Sequence, residues 1–483
     1  MAGAIAFGAK TLLRLEWRIA MKPLRILIAC DSFKGSLDSA RASQCISAGM
    51  RRVFPDAVIE SIPMADGGEG TTLALTEALG GRLRRIRVTG PMGAPVEAVY
   101  GLLPGGEAVM DMASASGLTL VPEGKADVLS ATTYGTGQLI LAALDAGCRR
   151  IYLGIGGSAT NDGGLGMAQA LGARFSDGDG RILGAADTAP RTVAGTAQAQ
   201  DVTGAVPGTA QVQGATGTVP GATGATSGAI PGADAMPGAG DAHAAAAPPG
   251  SSGTAHAFLA GKHLADIASI DLSQMDPRLA ETEISVLCDV TNPLCGPDGA
   301  AYVYGPQKGA GPAEIALLDE GLAHLAAIVR RDTGRDLADR PGAGAAGGLG
   351  FGLMAFAGAT LKRGVDFLLD ASGFDAKARE ADLIITGEGK LDSQSAYGKV
   401  PAGVARRGAA AGVPVLAIGG AIDGDLSALY RAGVSAAQAC VCNPMTLSEA
   451  MEGADALLED AAERLMRTVQ AGMHMHIPIT KSS

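Results

Sequence analysis

Short runs of aliphatic residues recur along the chain, and several end in a loop crowded with glycine and charge before a helical pattern begins. The first run, Leu24 to Ala29, leads into Asp31-Ser32-Phe33-Lys34-Gly35-Ser36 and a helical pattern over Leu37 to Val53, with Ser36 placed to cap it. The second, Val58 to Met64, leads into Ala65-Asp66-Gly67-Gly68-Glu69-Gly70 and a helix from Thr71. Runs without polar alternation suit strands buried on both faces, and parallel strands need a helical crossover between them. This rhythm predicts a doubly wound α/β sheet.

The rhythm then changes. Arg82 to Val88, Val96 to Leu103 and Ala108 to Met112 read as strands joined by short Gly/Pro turns, the pattern of a mixed sheet. A helix over Thr133 to Asp145 and a strand over Arg150 to Gly154 precede the loop Gly156-Gly157-Ser158-Ala159-Thr160-Asn161-Asp162-Gly163-Gly164. Strands at Ile284 to Asp289, Asp382 to Thr386, Val413 to Ile418 and Ala436 to Val441 restore the alternation, with long helices near Ala313 to Arg331 and Leu447 to Val469. The expected organisation is a discontinuous doubly wound parallel-sheet domain over 22–89 and 284–483, with a second, mixed α/β domain over 90–283 inserted in it.

Two segments stand outside this plan. From 187 to 260 the composition collapses to Ala, Gly, Thr, Pro and Val, with no Lys, Arg or Glu between Arg191 and Lys262. Such a stretch buries too little apolar surface to offset its ordering entropy and is expected to be a disordered insertion in a surface loop. Residues 1–21 make a poor secretory signal, because Lys10, Arg14, Glu16 and Arg18 follow a short apolar start. They read as a disordered or mis-started extension, since Met21 immediately precedes the first strand.

The formal net charge of −11 disfavours a nucleic-acid partner, which needs basic surface, but leaves room for a locally positive pocket. The apolar stretch Gly342 to Leu361 is too rich in glycine for a membrane span, so no membrane partner is expected. Seven scattered cysteines, without zinc spacing, suit a reduced cytoplasmic protein with no structural metal.

The strand-end loops carry the chemistry. Ligands of open α/β sheets bind at the carboxyl ends of strands, beside helix N-termini that favour anions. Lys34 there could neutralise a phosphate or a carboxylate, with Ser32 and Ser36 as hydrogen-bond partners; a capped turn with a solvated lysine is the plain alternative. In the second loop Gly67 and Gly68 allow close backbone approach, and Asp66 could hold Mg²⁺ or accept a hydroxyl proton. In the third, the amides around Gly157, Ser158 and Thr160 could form an anion nest, with Asn161 and Asp162 beside it. The fourth, Thr386-Gly387-Glu388-Gly389-Lys390-Leu391-Asp392-Ser393-Gln394-Ser395, packs both signs of charge between glycines and is followed by Lys399. Asp289-Val290-Thr291-Asn292-Pro293-Leu294 could line the same cleft, ending a strand that re-enters the first domain. Gly342 to Gly347 matches GxGxxG without a preceding strand and reads as coincidence or helix packing.

Taken together and in this order, the four loops and the Asp289 segment resemble the bacterial type-1 glycerate kinase family, over about Lys22 to Asp187 and Lys262 to Val469. The resemblance implies a flavodoxin-like discontinuous domain with an inserted α/β domain and an active site between them. It also implies ATP and Mg²⁺ as cofactors and D-glycerate as acceptor, with 2-phosphoglycerate the favoured product. The extension and the insertion depart from the family pattern without interrupting a motif.

Roles follow from phosphoryl-transfer chemistry, which asks mainly for positioning and charge neutralisation. Lys34 and Lys390 are expected on phosphate oxygens or the acceptor carboxylate. Asp66 and Asp162 are candidates for Mg²⁺ or for the acceptor hydroxyl, and Asp289, Glu388 and Asp392 are second candidates. Ser32, Asn161 and Gln394 supply hydrogen bonds, and Glu69, Asn292, Gly387, Gly389 and Ser395 complete the expected binding set. Competing readings are an NAD(P)-dependent hydroxy-acid oxidoreductase, whose fingerprint loop is missing after the first strand, and a non-catalytic nucleotide-binding regulator. A monomer or homodimer is expected.

Overall fold

The computed structural model describes residues 22–184, 200–201 and 258–473, apart from Asp66, Glu69, Glu123 and Tyr397. The expected N-terminal extension and most of the expected insertion lie outside the described residues. In chain order the strands are β1 Arg25–Cys30, β2 Val58–Ser61, β3 Arg82–Thr89, β4 Pro95–Leu103, β5 Glu107–Asp111, β6 Arg150–Gly154, β7 Arg174–Ser176 and β8 Gln200–Asp201. They continue with β9 Ser269–Asp271, β10 Glu283–Leu287, β11 Thr360–Lys362, β12 Leu383–Leu391, β13 Val415–Ile422 and β14 Val434–Ala439.

Five of them form a wholly parallel sheet in the order β14-β13-β12-β1-β2. Counted along the chain within that sheet the order is 2-1-3-4-5, the flavodoxin-like arrangement, with its switch point between β1 and β12. The aliphatic run of β1 is explained by cover on both faces. Ile26 and Ile28 pack with the helices Ser39–Arg51 and Ala454–Met473, while Leu27 and Ala29 join the opposite cluster with the helix Val400–Ala410.

A second, seven-stranded sheet has the order β11-β10-β6-β5-β4-β3-β8. Strands β11, β10, β6 and β5 are parallel, and β4, β3 and β8 complete it antiparallel, as the change of rhythm predicts. Its membership corrects the expected boundaries at 89 and 284. Strand β3 pairs with β4, and β10 pairs Ile284 with Ile151, so neither belongs to the five-stranded sheet. The chain returns to that sheet only at Leu383. An apolar run buried on both faces meets the same surroundings in either sheet, and its sequence does not say which one it joins.

Local corrections have local causes. The helix after the first loop starts at Ser39 with Asp38 as its cap, accepting from the Arg41 amide at 2.7 Å. Ser36, the expected cap, donates instead to the Phe33 carbonyl at 2.8 Å, because Phe33 and Leu37 close a tight bridged turn first. The expected helix over Leu447 to Val469 is two helices, Leu447–Glu452 and Ala454–Met473, broken at Gly453. Within the segment expected to be without structure, Gln200 and Asp201 pair with Arg85 and Arg84, and Leu259 and Ala260 are core residues. Among the described residues no helix is long and apolar enough to cross a membrane.

Candidate active site

The first and fourth loops meet at the switch point, where the Asp31 amide donates to the Gly387 carbonyl at 2.9 Å. A cleft of about 1680 Å³ opens there. Ser32, Lys34 and Ser36 border it from the first loop, Gly68 and Gly70 from the second, Gly156, Gly157 and Ser158 from the third, and Asp289 and Asn292 from the segment after β10. The two sheets thus contribute facing sets of strand-end loops. Asp66 and Glu69 lie outside the described residues.

The second and third loops touch backbone to backbone, and glycine is the reason they can. Gly67 has φ +79°, and a Cβ on it would stand 2.7 Å from the Leu287 carbonyl oxygen. A Cβ on Gly156 would stand 2.6 Å from the Gly68 Cα. The Gly156 amide donates to the Gly67 carbonyl at 3.1 Å.

Among the described acids, those expected to work together separate. Asp162 is fully buried and accepts from the Thr133 amide and hydroxyl at 2.9 and 2.8 Å, the Gly164 amide at 3.0 Å and the Gly166 amide at 3.2 Å. Both its oxygens are engaged, so it folds the third loop and is not presented to the cleft; burial pushes its carboxyl up in spite of those donors. Thr160 and Asn161 are likewise fully buried. Neither side-chain amide atom of Asn161 is hydrogen-bonded among the described residues. Asp289 does face the cleft, with one oxygen accepting from the Gly364 amide at 3.1 Å. Asn292 is tied down by donating to the Asp298 carbonyl at 2.8 Å and accepting from the Tyr304 hydroxyl at 2.7 Å.

The fourth motif is mostly strand, since β12 runs on to Leu391 and carries Gly387, Glu388, Gly389 and Lys390. Glu388 is 7% exposed and pairs with Lys399 at 3.1 Å. Burial raises its pKa, opposed by the Ser395 hydrogen bond and the Lys399 charge. Lys390, expected on a phosphate, is exposed and pairs with Asp423 at 2.8 Å and Asp392 at 3.8 Å, away from the cleft lining. Asp392 and Ser395 bond one another in a turn, at 3.0 and 3.3 Å. The Gln394 side chain lies outside the described residues.

The structure adds cations that the sequence reading passed over: Lys308, Arg363, Lys399 and Arg406 all border the cleft. Lys308 follows no strand and Arg363 comes just after a three-residue one, so neither stood in a recognisable strand-end motif; Lys399 was visible beside the fourth loop but carried no role. The GxGxxG stretch also proves to brace the site. Ala346, Gly347 and Gly348 take left-handed backbone angles, and the Gly163 amide donates to the Gly347 carbonyl at 3.0 Å.

The sequence matches the glycerate kinase family over residues 26–215 and 237–470. It is 42% identical to a glycerate kinase of Halalkalibacterium halodurans, over 91% of this chain and 97% of that one. It is 38% identical to a glycerate 2-kinase of Escherichia coli, over 93% and 99% of the two chains. The fold is similar to that of a provisionally named glycerate kinase 2 of Salmonella typhimurium LT2, whose crystal structure aligns with a TM-score of 0.68 at 38% identity, covering 94% of this chain and all of that one.

Proposed function

The chain belongs to the glycerate kinase family and is a kinase, and from that premise we propose that it transfers the γ-phosphoryl group of ATP to the 2-hydroxyl of D-glycerate, giving 2-phosphoglycerate. The observation that carries the reading is the charge of the cleft. Among the described residues Lys34, Lys308, Arg363, Lys399 and Arg406 border it against Asp38, Glu77 and Asp289, a local positive excess in a chain of net charge −11. An anionic acceptor and a polyphosphate donor need that excess. The choice of the 2-hydroxyl is supported by the name of the Escherichia coli relative.

In this reading Lys34 and Lys399 neutralise phosphate oxygens at the open side of the cleft, and Ser32 orients them. Among the described residues no three His, Cys, Asp or Glu side chains gather as a metal cluster. Mg²⁺ asks for only one or two carboxylates, so Asp289 would fit it, with Asp66 the second candidate. When bound, the ion neutralises charge on the donor phosphates. Seven free thiols support a cytoplasmic location.

A coupled ADP-release assay with ATP, Mg²⁺ and D-glycerate, followed by phosphorus NMR of the product, tests the proposal. Glycerate-dependent turnover with the 2-phosphoglycerate resonance is expected. A 3-phosphoglycerate resonance would overturn the regiochemistry, and inertness toward D-glycerate would overturn the substrate.

A further inference from the structure

The third loop encloses a lysine amine for which the described residues supply no ion-paired carboxylate. Lys308 ends the short turn Pro306–Lys308 and is only 2% exposed, yet it borders the cleft. Its Nζ donates to Ser158 Oγ at 2.8 Å and to the Thr160 carbonyl at 2.7 Å. Both partners are neutral, and among the described residues no carboxylate oxygen lies within ion-pair distance. An ammonium has three N–H donors, so one is left over. Asp162 is the charge that acts on it from nearby, but both oxygens of Asp162 are held by Thr133, Gly164 and Gly166. Burial accordingly pulls the Lys308 ammonium down to about 7. An aliphatic side chain would fill the same space without that penalty.

The surroundings supply further donors. Ser158 Oγ accepts from Lys308, which leaves its own proton to donate elsewhere. The amides of Gly157 and Ser158 donate to no carbonyl among the described residues. Their flanks are held rigid: Leu118 N to Gly157 O is 2.9 Å, Ala159 N to Ser116 O is 3.0 Å, and Gly156 N to Gly67 O is 3.1 Å. Gly157, at φ +77°, gives the loop the left-handed turn of an anion nest.

We propose that Lys308, the Ser158 hydroxyl and the amides of Gly157 and Ser158 form the subsite that holds the carboxylate of the hydroxy-acid acceptor. The assignment rests on the kinase reading above and adds to it the group that selects an acid over a neutral alcohol. An anionic oxygen is the shared chemistry, and both the carboxylate and a donor phosphate could bring one. Depth and rigidity favour the carboxylate. Two hydrogen bonds fix Nζ at the buried side of the cleft, whereas Lys34, Arg363 and Arg406 are exposed and can follow a polyphosphate.

The test uses the full chain and its Lys308→Met variant. Calorimetry measures binding of D-glycerate alone and of ATP with Mg²⁺, and kinetics compare D-glycerate with glycerol, which lacks the carboxylate. The variant is expected to lose glycerate affinity by about 10²-fold and keep ATP affinity within about twofold. Its kcat/KM for glycerate should fall, so that its preference for glycerate over glycerol narrows. If ATP affinity falls and glycerate affinity survives, the subsite holds phosphate; if neither moves, Lys308 only fills space. Either result overturns the proposal. Should Lys308→Met fail to fold, Ser158→Ala removes one donor from the same subsite and is expected to weaken glycerate binding several-fold, with unchanged affinity overturning the assignment. A wild-type enzyme that binds glycerate but does not phosphorylate it would sink the kinase reading and leave the subsite standing. The binding arm reads the two failures apart.

Discussion

The Gly156 amide donates to the Gly67 carbonyl oxygen at 3.1 Å, joining the loop after β6 of the larger sheet to the loop after β2 of the smaller one. The two loops therefore meet at the cleft backbone to backbone, and neither has room for a side chain there.

Gly156→Ala and Gly67→Ala are each expected to lower stability by about 1–3 kcal/mol, as overpacking does, and to reduce turnover by displacing the loops. Gly67→Ala also carries the strain of its positive φ. Chemical denaturation and steady-state kinetics on the two variants check this. Wild-type stability and rate in both would show that the loops do not need their close approach.

Asp162 tests a structural role against a metal role. Asp162→Ala strips the acceptor from the Thr133, Gly164 and Gly166 donors and should cost about 3–5 kcal/mol of stability. In whatever fraction stays folded, the Mg²⁺ concentration giving half-maximal rate should not shift. A shift of that concentration with stability preserved would return Asp162 to the metal site.

The fourth motif contains two lysines with opposite fates. Lys399 borders the cleft beside buried Glu388, so Lys399→Ala should cut kcat/KM by roughly 10²-fold. Lys390 is exposed and occupied by Asp423, so Lys390→Ala should leave turnover almost unchanged. Kinetics on the pair decide it, and equal losses would contradict the placement of Lys390 outside the cleft.

Lys308 predicts a pH dependence with a definite sign. Its ammonium titrates near 10.5 when unfolded and near 7 when folded, so between those values the unfolded chain holds a proton that the folded chain has released. The contribution of this group to stability therefore rises as pH rises from about 7, and its full penalty applies below that. Denaturation of wild type and Lys308→Met at about pH 6 and about pH 9 should show the variant's advantage shrinking at the higher pH. An advantage independent of pH would mean that Lys308 keeps its ordinary proton affinity.

Most of the strands were legible because a buried strand writes a short aliphatic run and a tight turn writes glycine, each within a few neighbouring residues. The strand-end loops and the family resemblance came from the same local record, and so did the expectation that Lys34, Ser32, Ser36 and Asp289 border one cleft. Pairing and burial are set between residues far apart in the chain. Nothing near Ile284 states that it will pair with Ile151, nor does the run Gly305-Pro306-Gln307-Lys308-Gly309 announce a contact with Ser158, 150 residues earlier. Asp162 and Lys390 look alike as polar residues in glycine-rich motifs. Four donors converge on one and the other pairs with Asp423 at the exposed surface, and only the packing of two sheets against each other decides which is which.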